Sequence, residues 1–224
     1  MTSPLGHLAP FGGPHFARVA NVLVLEEAES TNDVGRALVD RMVAEDTEIF
    51  PTCVVARRQT AGRGRSGRSW EAAGTGAVAV SLVAPWPEGP GRIHVPIATG
   101  ISLARSLSRA FGVDLRLKWP NDLLAGGRKV GGLLTEGRSL PEGQGYVIVG
   151  LGLNVRAGRD ELDALGLPSA TSLALEGADP GKLEGNAAFL AVLAAFDASL
   201  GEQDGDLAAA FESVTVHRPG DVLE

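Results

Sequence analysis

The stretch QTAGRGRSGRSW, from Gln59 to Trp70, sets three arginines among three glycines in a chain whose formal net charge is −7. Glycine lets backbone amides approach a ligand closely, and the planar guanidinium of arginine pairs well with carboxylate or phosphate oxygens. The large ring of Trp70 argues against a purely mobile segment, because such rings are usually buried or cover a ligand. We therefore predict an anion-binding loop here. The alternative is a flexible, solvated, basic surface loop.

A second group of polar residues lies in LKWPNDLLAGGRKVGGLLTEG, residues 117–137. Lys118 and Lys129 are two of only three lysines in the chain. The compact, rotatable ammonium of lysine can make contacts that the planar guanidinium of arginine cannot. Asn121 and Asp122 suit either an ordinary turn or a magnesium contact. We expect a hairpin that brings the two lysines near its ends. With the loop arginines, this set suits nucleotidyl transfer between a carboxylate and ATP, unless the spacing of the lysines is chance.

Two well-known phosphate motifs are matched in form but are excluded by their context. The glycines of GRGRSGRS fit G-x-G-x-x-G, and the same run nearly fits G-x-x-x-x-G-K-[ST]. Both motifs require a helix directly after the last glycine, because its amides hold the phosphates. Here RSWEAAGTGAV is interrupted by glycines and runs into a strand. The second motif also needs lysine where Arg68 stands.

Length and composition set the remaining limits. A chain of 224 residues with 44% hydrophobic content can bury the core of one domain. One cysteine excludes an internal disulfide and a cysteine metal cluster, and a reducing, cytoplasmic setting fits. No 18-residue apolar span or signal peptide is seen, so we expect no membrane partner. A pI near 5.2 disfavours a nucleic-acid surface. The four histidines form no ligand set, so no permanent metal is expected.

These residues must be positioned by strands that come in consecutive pairs with short connections. Alternation and β-branched content predict strands at residues 17–25, 52–59, 76–84, 114–119, 128–137 and 145–155. Helical spacing predicts helices at residues 29–45, 92–111, 171–175, 183–200 and 206–214, the first capped by Ser30 or Thr31. Strand pairs with short turns indicate hairpins. We predict one domain with a mixed sheet and helices packed on it.

Taken together, five segments resemble the biotin protein ligases, in particular the single-domain bacterial type without a DNA-binding domain. The matching segments are ESTN, QTAGRGRSGRSW, LKWPNDLL, RKVGGLLTE and VIVGLGLNV, in the family's order and spacing. Each is weak alone, and together they are specific. The resemblance implies an α+β fold like that of class II aminoacyl-tRNA synthetases, with a mixed, largely antiparallel sheet flanked by helices.

The resemblance also implies the reaction and its partners. Biotin's carboxylate would attack the α-phosphate of ATP to give biotinyl-5′-AMP. A lysine of a biotin carboxyl carrier protein, part of an acetyl-CoA or related carboxylase, would then take the biotinyl group. Magnesium would arrive with ATP, near Asn121 and Asp122. No nucleic acid or membrane is implied, and a homodimer is left open.

Site residues carry over only by matching motif positions. The resemblance implies a biotin site of Ser30, Thr31, Asn32, Gln59, Gly62, Arg63, Arg65, Lys129 and Gly131. It implies an ATP and adenylate site of Arg63, Arg65, Arg68, Trp70, Lys118, Asn121 and Asn154. Catalysis would fall to Lys129, Arg65, Arg68, Lys118 and Asp122. The loop would order over bound ligand, and Gly131 stands where alanine is common.

The domain boundaries follow from the same resemblance. We expect a flexible lead at 1–16, the catalytic domain at 17–216, and at 217–224 the start of a C-terminal segment whose usual small β-barrel is absent. A DNA-binding segment and transcriptional repression are not expected. Two rival functions stay open: a lipoate or octanoate protein ligase, and a biotin or adenylate binder that no longer transfers.

Overall fold

A seven-stranded sheet forms the centre of the computed structural model, which describes residues 16–70, 76–86, 95–140, 145–184, 186–201, 207–218 and 221. The strands are β1 (Asn21–Ala28), β2 (Thr52–Gln59), β3 (Ala77–Pro85), β4 (Leu115–Lys118), β5 (Asp122–Ala125), β6 (Arg128–Ser139) and β7 (Gly145–Asn154). Their order across the sheet is β1-β2-β3-β7-β6-β5-β4. Of the six pairs between these described strands, only β1–β2 is parallel. The predicted mixed, largely antiparallel sheet is confirmed.

Helices cover both faces of this sheet. They are α1 (Thr31–Ala44), α2 (Val95–Phe111), α3 (Arg159–Ala164), α4 (Ala187–Ser199) and α5 (Leu207–Glu212). Helix α1 packs on β2, β3 and β7, whereas α2 and α4 pack together over the main apolar core. Because side chains alternate along a strand, Leu82 faces that core, and Ser81 and Val83 point towards α1. No helix among the described residues is long and apolar enough to cross a membrane.

Most predicted elements are present, and three expectations were wrong. Residues 122–125 form a strand, so Lys118 and Lys129 do not flank one hairpin but lie on two strands either side of β5. A strand of four residues is too short to show an alternating pattern in the sequence. Strand β5 forms because it pairs with β4 on one side and β6 on the other. Residues 171–175 form turns, because the Leu173 and Ala174 amides donate to carbonyls of residues 154 and 155 instead of a helical ladder. Helix α3 was not predicted.

Other expectations lie at or outside the described residues. Residues 1–15 of the predicted lead and residues 92–94 of the predicted helix are not described, and α2 begins at Val95. The segment after α5 pairs with the edge strand β4 through the bonds Leu117 N to Val214 O at 2.8 Å and Val216 N to Leu117 O at 2.9 Å. This pairing carries His217 to the Trp119 amide, which donates to its Nε2 at 2.9 Å.

Candidate active site

A pocket of about 600 Å³ opens where α1 begins, β2 ends and the β4–β5 turn faces the arginine-rich loop. The predicted site residues that line it are Ser30, Thr31, Asn32, Gln59, Arg63, Arg65, Arg68, Trp70, Lys118, Asn121, Asp122 and Lys129. Gly150 and Gly152 of β7 also line it, together with His217. Segments far apart in the sequence therefore meet in one cavity large enough for a substrate with a nucleotide.

One wall of the pocket is an uncharged, buried hydrogen-bonding surface. Ser30, Thr31 and Asn32 begin α1 and are 3%, 4% and 2% exposed. The Thr31 amide donates to Gln59 Oε1 at 2.8 Å, which ties the helix start to the end of β2. Ser81 is fully buried beneath them, 2.7 Å from Thr31 Oγ1 and 2.6 Å from Asn32 Oδ1. A buried wall of this kind suits an uncharged polar ligand, because any of its own polar groups that the ligand leaves without a hydrogen-bond partner weakens binding.

Behind this wall, Glu136 is the centre of a charged cluster. Its carboxylate accepts from Asn32 Nδ2 at 2.7 Å, from Arg36 Nη2 at 2.8 Å and from Arg63 Nη2 at 2.9 Å. Asp33 pairs with both arginines, at 2.8 Å and 2.9 Å. Burial alone raises the pKa of Glu136, but the Asn32 hydrogen bond and the Arg63 and Arg36 charges outweigh it and lower that pKa. Burial also lowers the pKa of Arg36, but the charges of Glu136 and Asp33 outweigh this effect. The pKa of Arg36 is therefore raised.

The arginine-rich loop is folded back on itself rather than extended. Its ends are joined by hydrogen bonds from the Gly64 amide to Arg68 O at 2.7 Å and from the Trp70 amide to Gly62 O at 2.8 Å. A single 3₁₀ turn at the tip puts Ser66 at φ 57° and Gly67 at φ 74°, a left-handed region in which glycine is unstrained. Glycine at position 67 therefore suits the tip of this loop.

The loop reaches the β4–β5 turn and holds several cations over the pocket. Arg65 Nη1 donates to Asn121 Oδ1 at 3.3 Å, and Asn121 Nδ2 donates in turn to Leu133 O at 3.0 Å. Arg68 and Lys118 are exposed at the pocket rim. Among the described residues neither side chain has a hydrogen-bond or ion-pair partner. Both charges are therefore available to an anion.

Lys129 lies between the loop and the β4–β5 turn. Its Nζ is 2.7 Å from Asp122 Oδ1 and 5.9 Å from the centre of the Trp70 ring. The Trp70 ring lies directly on Gly152, where a Cβ atom would overlap it, and its Nε1 is buried without a partner in the described part of the chain. The ammonium is thus held by a carboxylate and an aromatic face, in the range of a cation–π contact.

Three predicted residues do not line the pocket, although each is close to residues that do. Gly62 packs against the Trp70 backbone and Gln59, and Gly131 against the Gly152 carbonyl, with no room for a side chain at either. Asn154 is 3% exposed and donates Nδ2 to Thr171 O at 3.0 Å. Its Oδ1 is buried and has no partner among the described residues, so one acceptor is left for another donor.

Several neighbours of the site were not predicted from the sequence. Ser81 carried a signal, because it is the one polar residue in the run AVAVSLVAP. Glu136 lies in the segment 117–137, where its residue type alone indicates no role, and an acidic residue such as Asp33 is ordinary in the first turn of a helix. Arg36 carried no signal, since an arginine on an exposed helix face is ordinary.

The described residues contain no group of three or more His, Cys, Asp or Glu suited to hold a metal ion. Near the loop the available oxygens are those of Asn121 and Asp122, which already contact Arg65 and Lys129. This donor set does not form a protein-held metal centre. It is compatible with a magnesium ion whose ligands come mainly from a bound triphosphate.

The chain is similar in sequence and in fold to known biotin protein ligases. A biotin–[acetyl-CoA-carboxylase] ligase of Mycobacterium tuberculosis is 33% identical over 160 residues, which cover 66% of this chain and 54% of that protein. The structure of the Aquifex aeolicus biotin protein ligase in complex with biotin and ATP has a TM-score of 0.63 at 27% identity, covering 88% of this chain and 79% of that one. The Leishmania major biotin protein ligase in complex with biotinyl-5-AMP has a TM-score of 0.63 at 22% identity, covering 92% and 87%, and shows the shared fold.

The chain spans about half the length of the curated relatives it matches. The family model described as "Biotin/lipoate A/B protein ligase family" matches residues 29–154, from the start of α1 to the end of β7. That range contains every strand that lines the pocket, the arginine-rich loop and both pocket lysines. With this match over more than half of its length, the chain belongs to the biotin/lipoate A/B protein ligase family.

Proposed function

We propose that this chain is an ATP-dependent biotin protein ligase, which forms biotinyl-5′-AMP and transfers biotin to a lysine of a biotin carboxyl carrier protein. The observation that carries the proposal is the division of one pocket into two parts. The uncharged wall lies where α1 covers β2, β3 and β7, and the cations lie around the β4–β5 turn and the loop. A substrate with an uncharged polar head and a carboxylate would span the two.

The uncharged wall suits the ureido ring of biotin. A ureido group offers two N–H donors and one carbonyl acceptor, and Thr31, Gln59 and Ser30 provide hydroxyl and amide groups at the wall. Because these groups are buried, a ligand that left them unpaired would bind much more weakly. Lipoate has no ureido group, and this difference favours biotin over lipoate as the substrate.

The cationic part suits the reacting groups. Arg65, Arg68 and Lys118 would bind phosphate oxygens of ATP, and Lys129 would contact the biotin carboxylate. One carboxylate oxygen attacks the α-phosphorus, the bond to the β-phosphate oxygen breaks, and pyrophosphate leaves. Negative charge grows on the phosphoryl oxygens during this step, and fixed cations stabilise it. The reaction needs no covalent bond to the protein, so positioning and charge account for the catalysis.

The second step uses the same groups in a different way. The neutral amine of the carrier lysine attacks the acyl carbon of biotinyl-5′-AMP, the amine loses a proton, and AMP leaves with the electron pair of the acyl–oxygen bond. Lys129 would neutralise the oxygen charge that develops at the acyl group. Asp122, 2.7 Å from Lys129 Nζ, holds this ammonium in place and is the candidate acceptor for the released proton.

The nucleotide base would be read at Trp70 and Asn154. Trp70 offers a ring face at the pocket, and Asn154 has a buried Oδ1 without a partner in the described part of the chain. An exocyclic amine is the donor that such an oxygen requires. Asn154 does not line the pocket, so this role requires a rearrangement that brings the base to its Oδ1.

The remaining expectations belong to the same proposal. The described ranges within residues 17–216 would act as one catalytic unit, magnesium would come with ATP, and the location would be cytoplasmic. No nucleic acid takes part, and a homodimer is not needed for the chemistry.

The test is transfer of labelled biotin to a purified carrier domain in the presence of ATP and magnesium. We expect label on the carrier lysine and none when that lysine is replaced by arginine. Formation of biotinyl-5′-AMP without transfer would identify a binder that no longer transfers. Transfer of lipoate in place of biotin would overturn the substrate assignment.

A further inference from the structure

An unbroken path of hydrogen bonds joins the charged cluster behind the pocket to the wall that faces the ligand. It runs from Glu136 to Asn32, Ser81 and Thr31, with heavy-atom distances of 2.7, 2.6 and 2.7 Å. Asn32, Ser81 and Thr31 are at most 4% exposed. Water therefore does not compete for these groups, and each must be satisfied by its neighbours.

The direction of each bond on this path can be worked out from Glu136. Its carboxylate is ionised and only accepts, so Asn32 must turn its amide nitrogen towards it. The same nitrogen also donates to Leu134 O at 3.2 Å, which uses its second hydrogen. Asn32 Oδ1 then points to Ser81, and Ser81 must donate its single hydroxyl hydrogen to it.

The direction at Thr31 follows from the same count. With its hydrogen given to Asn32, the Ser81 oxygen can only accept, so the 2.7 Å contact requires Thr31 Oγ1 to donate to Ser81. Gln59 Oε1 accepts from the Thr31 backbone amide at 2.8 Å, and with this direction it does not receive the Thr31 hydroxyl hydrogen, although the two oxygens are 3.1 Å apart. The lone pairs of Thr31 Oγ1 are then left for the pocket.

From this path, and resting on the proposed function, we infer that Glu136 is a positioning residue that fixes the Thr31 hydroxyl as an acceptor for a ureido N–H of biotin. It acts through Asn32 and Ser81 and does not touch the substrate. The two arginines at Glu136 strengthen the effect, because they hold the carboxylate in a single orientation.

Glu136→Gln tests the direction of the path with almost no change of shape. Arg36 and Arg63 would attract the new carbonyl oxygen, so the new amide would face Asn32 and reverse it. Ser81 would then donate to Thr31, and the Thr31 hydrogen would turn to Gln59 Oε1, 3.1 Å away, so fewer acceptor lone pairs would face the ligand's N–H. We expect the Kd of biotin to rise about tenfold, the size of one lost hydrogen bond, with no comparable change in the KM of ATP.

A double-mutant cycle separates this path from the direct contact between Glu136 and Arg63. Ser81→Ala cuts the path, so Glu136→Gln should have little further effect on biotin binding in that background. An equal fold-change in both backgrounds would show that Glu136 acts through Arg63 alone and would overturn the inference. If Glu136→Gln does not fold, Ser81→Ala alone must still weaken biotin binding severalfold; unchanged binding would overturn the inference too.

Glu176→Gln is the matched control, since this carboxylate also pairs with an arginine, Arg128 at 2.8 Å, and lies outside the pocket. Biotin binding should be unchanged in that variant. Titration calorimetry of biotin binding to the wild-type chain separates failure of the proposed role of Glu136 from failure of the proposed function. Wild-type binding with no effect of either substitution would contradict only the role of Glu136, whereas no wild-type binding of biotin would overturn the proposed function with it.

Discussion

Lys129 Nζ lies 2.7 Å from Asp122 Oδ1, across two neighbouring antiparallel strands, β6 and β5. The pair places an ammonium in a pocket whose other cations come from the arginine-rich loop and from Lys118 of β4. A lysine held in this way can contact a carboxylate first and an acyl oxygen later without moving far. This arrangement is the basis of the first prediction.

Lys129→Ala should lower biotin-dependent pyrophosphate exchange by about a hundredfold to a thousandfold, the range for loss of one group that stabilises transition-state charge. The side chain is 40% exposed, so the fold should be kept. Lys182→Ala, which removes a lysine outside the pocket, is the control. A Lys129→Ala protein with normal exchange, or one that unfolds, would show that the residue has been assigned wrongly.

Asn154→Ala should raise the KM of ATP by about tenfold, because the buried Oδ1 is available to a donor on the base. The KM of biotin should stay the same, since the proposed biotin wall is formed by Ser30, Thr31 and Gln59 and not by Asn154. Steady-state kinetics with each substrate varied in turn measures both values. An equal rise for both substrates would indicate loss of structure around Thr171 rather than loss of base recognition.

Gly152→Ala should destabilise the protein by about 1–3 kcal/mol, the usual cost of overpacking, and should weaken ATP binding. A Cβ at this position would overlap the Trp70 ring. Gly158→Ala is a fitting control, because its Cβ would meet no atom within 4 Å and its φ is −78°. Thermal unfolding of both variants, with and without ATP, separates the effects; equal melting temperatures would contradict the packing of Trp70 on β7.

The free energy of unfolding should decrease in acid because Glu136 becomes protonated. The folded-state pKa of this carboxyl lies below its ordinary value of 4.5, so near that pH the unfolded chain binds more protons than the folded one. The contribution is therefore complete above about pH 4.5 and is lost as the pH decreases through the folded-state value. Denaturant titrations from pH 6 to pH 3 should show a shallower loss for Glu136→Gln than for Glu176→Gln; parallel curves would contradict the assignment.

The arginine-rich loop should become resistant to trypsin when biotin and ATP are bound together. In the structure its tip contacts the β4–β5 turn through the 3.3 Å bond between Arg65 and Asn121, and the tip residues are exposed. Cleavage after Arg65 or Arg68 is then expected in the free protein, with cleavage after the exposed Lys182, which lies outside the pocket, as an internal reference. A loop equally protected without ligand would contradict ordering on binding.

The sequence was sufficient for the parts of the site that carry their own signal. The arginine-rich loop, Lys129 and the Asn121–Asp122 turn could be found because their residue types are unusual in this chain. Strand β5 could not, since four residues show no period and only its two neighbours make it a strand. The path from Glu136 to Thr31 could not either, because it joins residues up to 105 positions apart through the α1–sheet packing. Long-range contacts of this kind are determined by the fold and not by local pattern.

The most direct test of the central claim is ATP–pyrophosphate exchange by the purified chain with biotin and with lipoate as the carboxylate. We predict exchange that depends on biotin, with lipoate at least about a hundredfold less effective, because the buried wall around Thr31 and Gln59 would be left without its N–H and C=O partners. Exchange that is equal for the two acids, or that occurs with lipoate alone, would contradict the account.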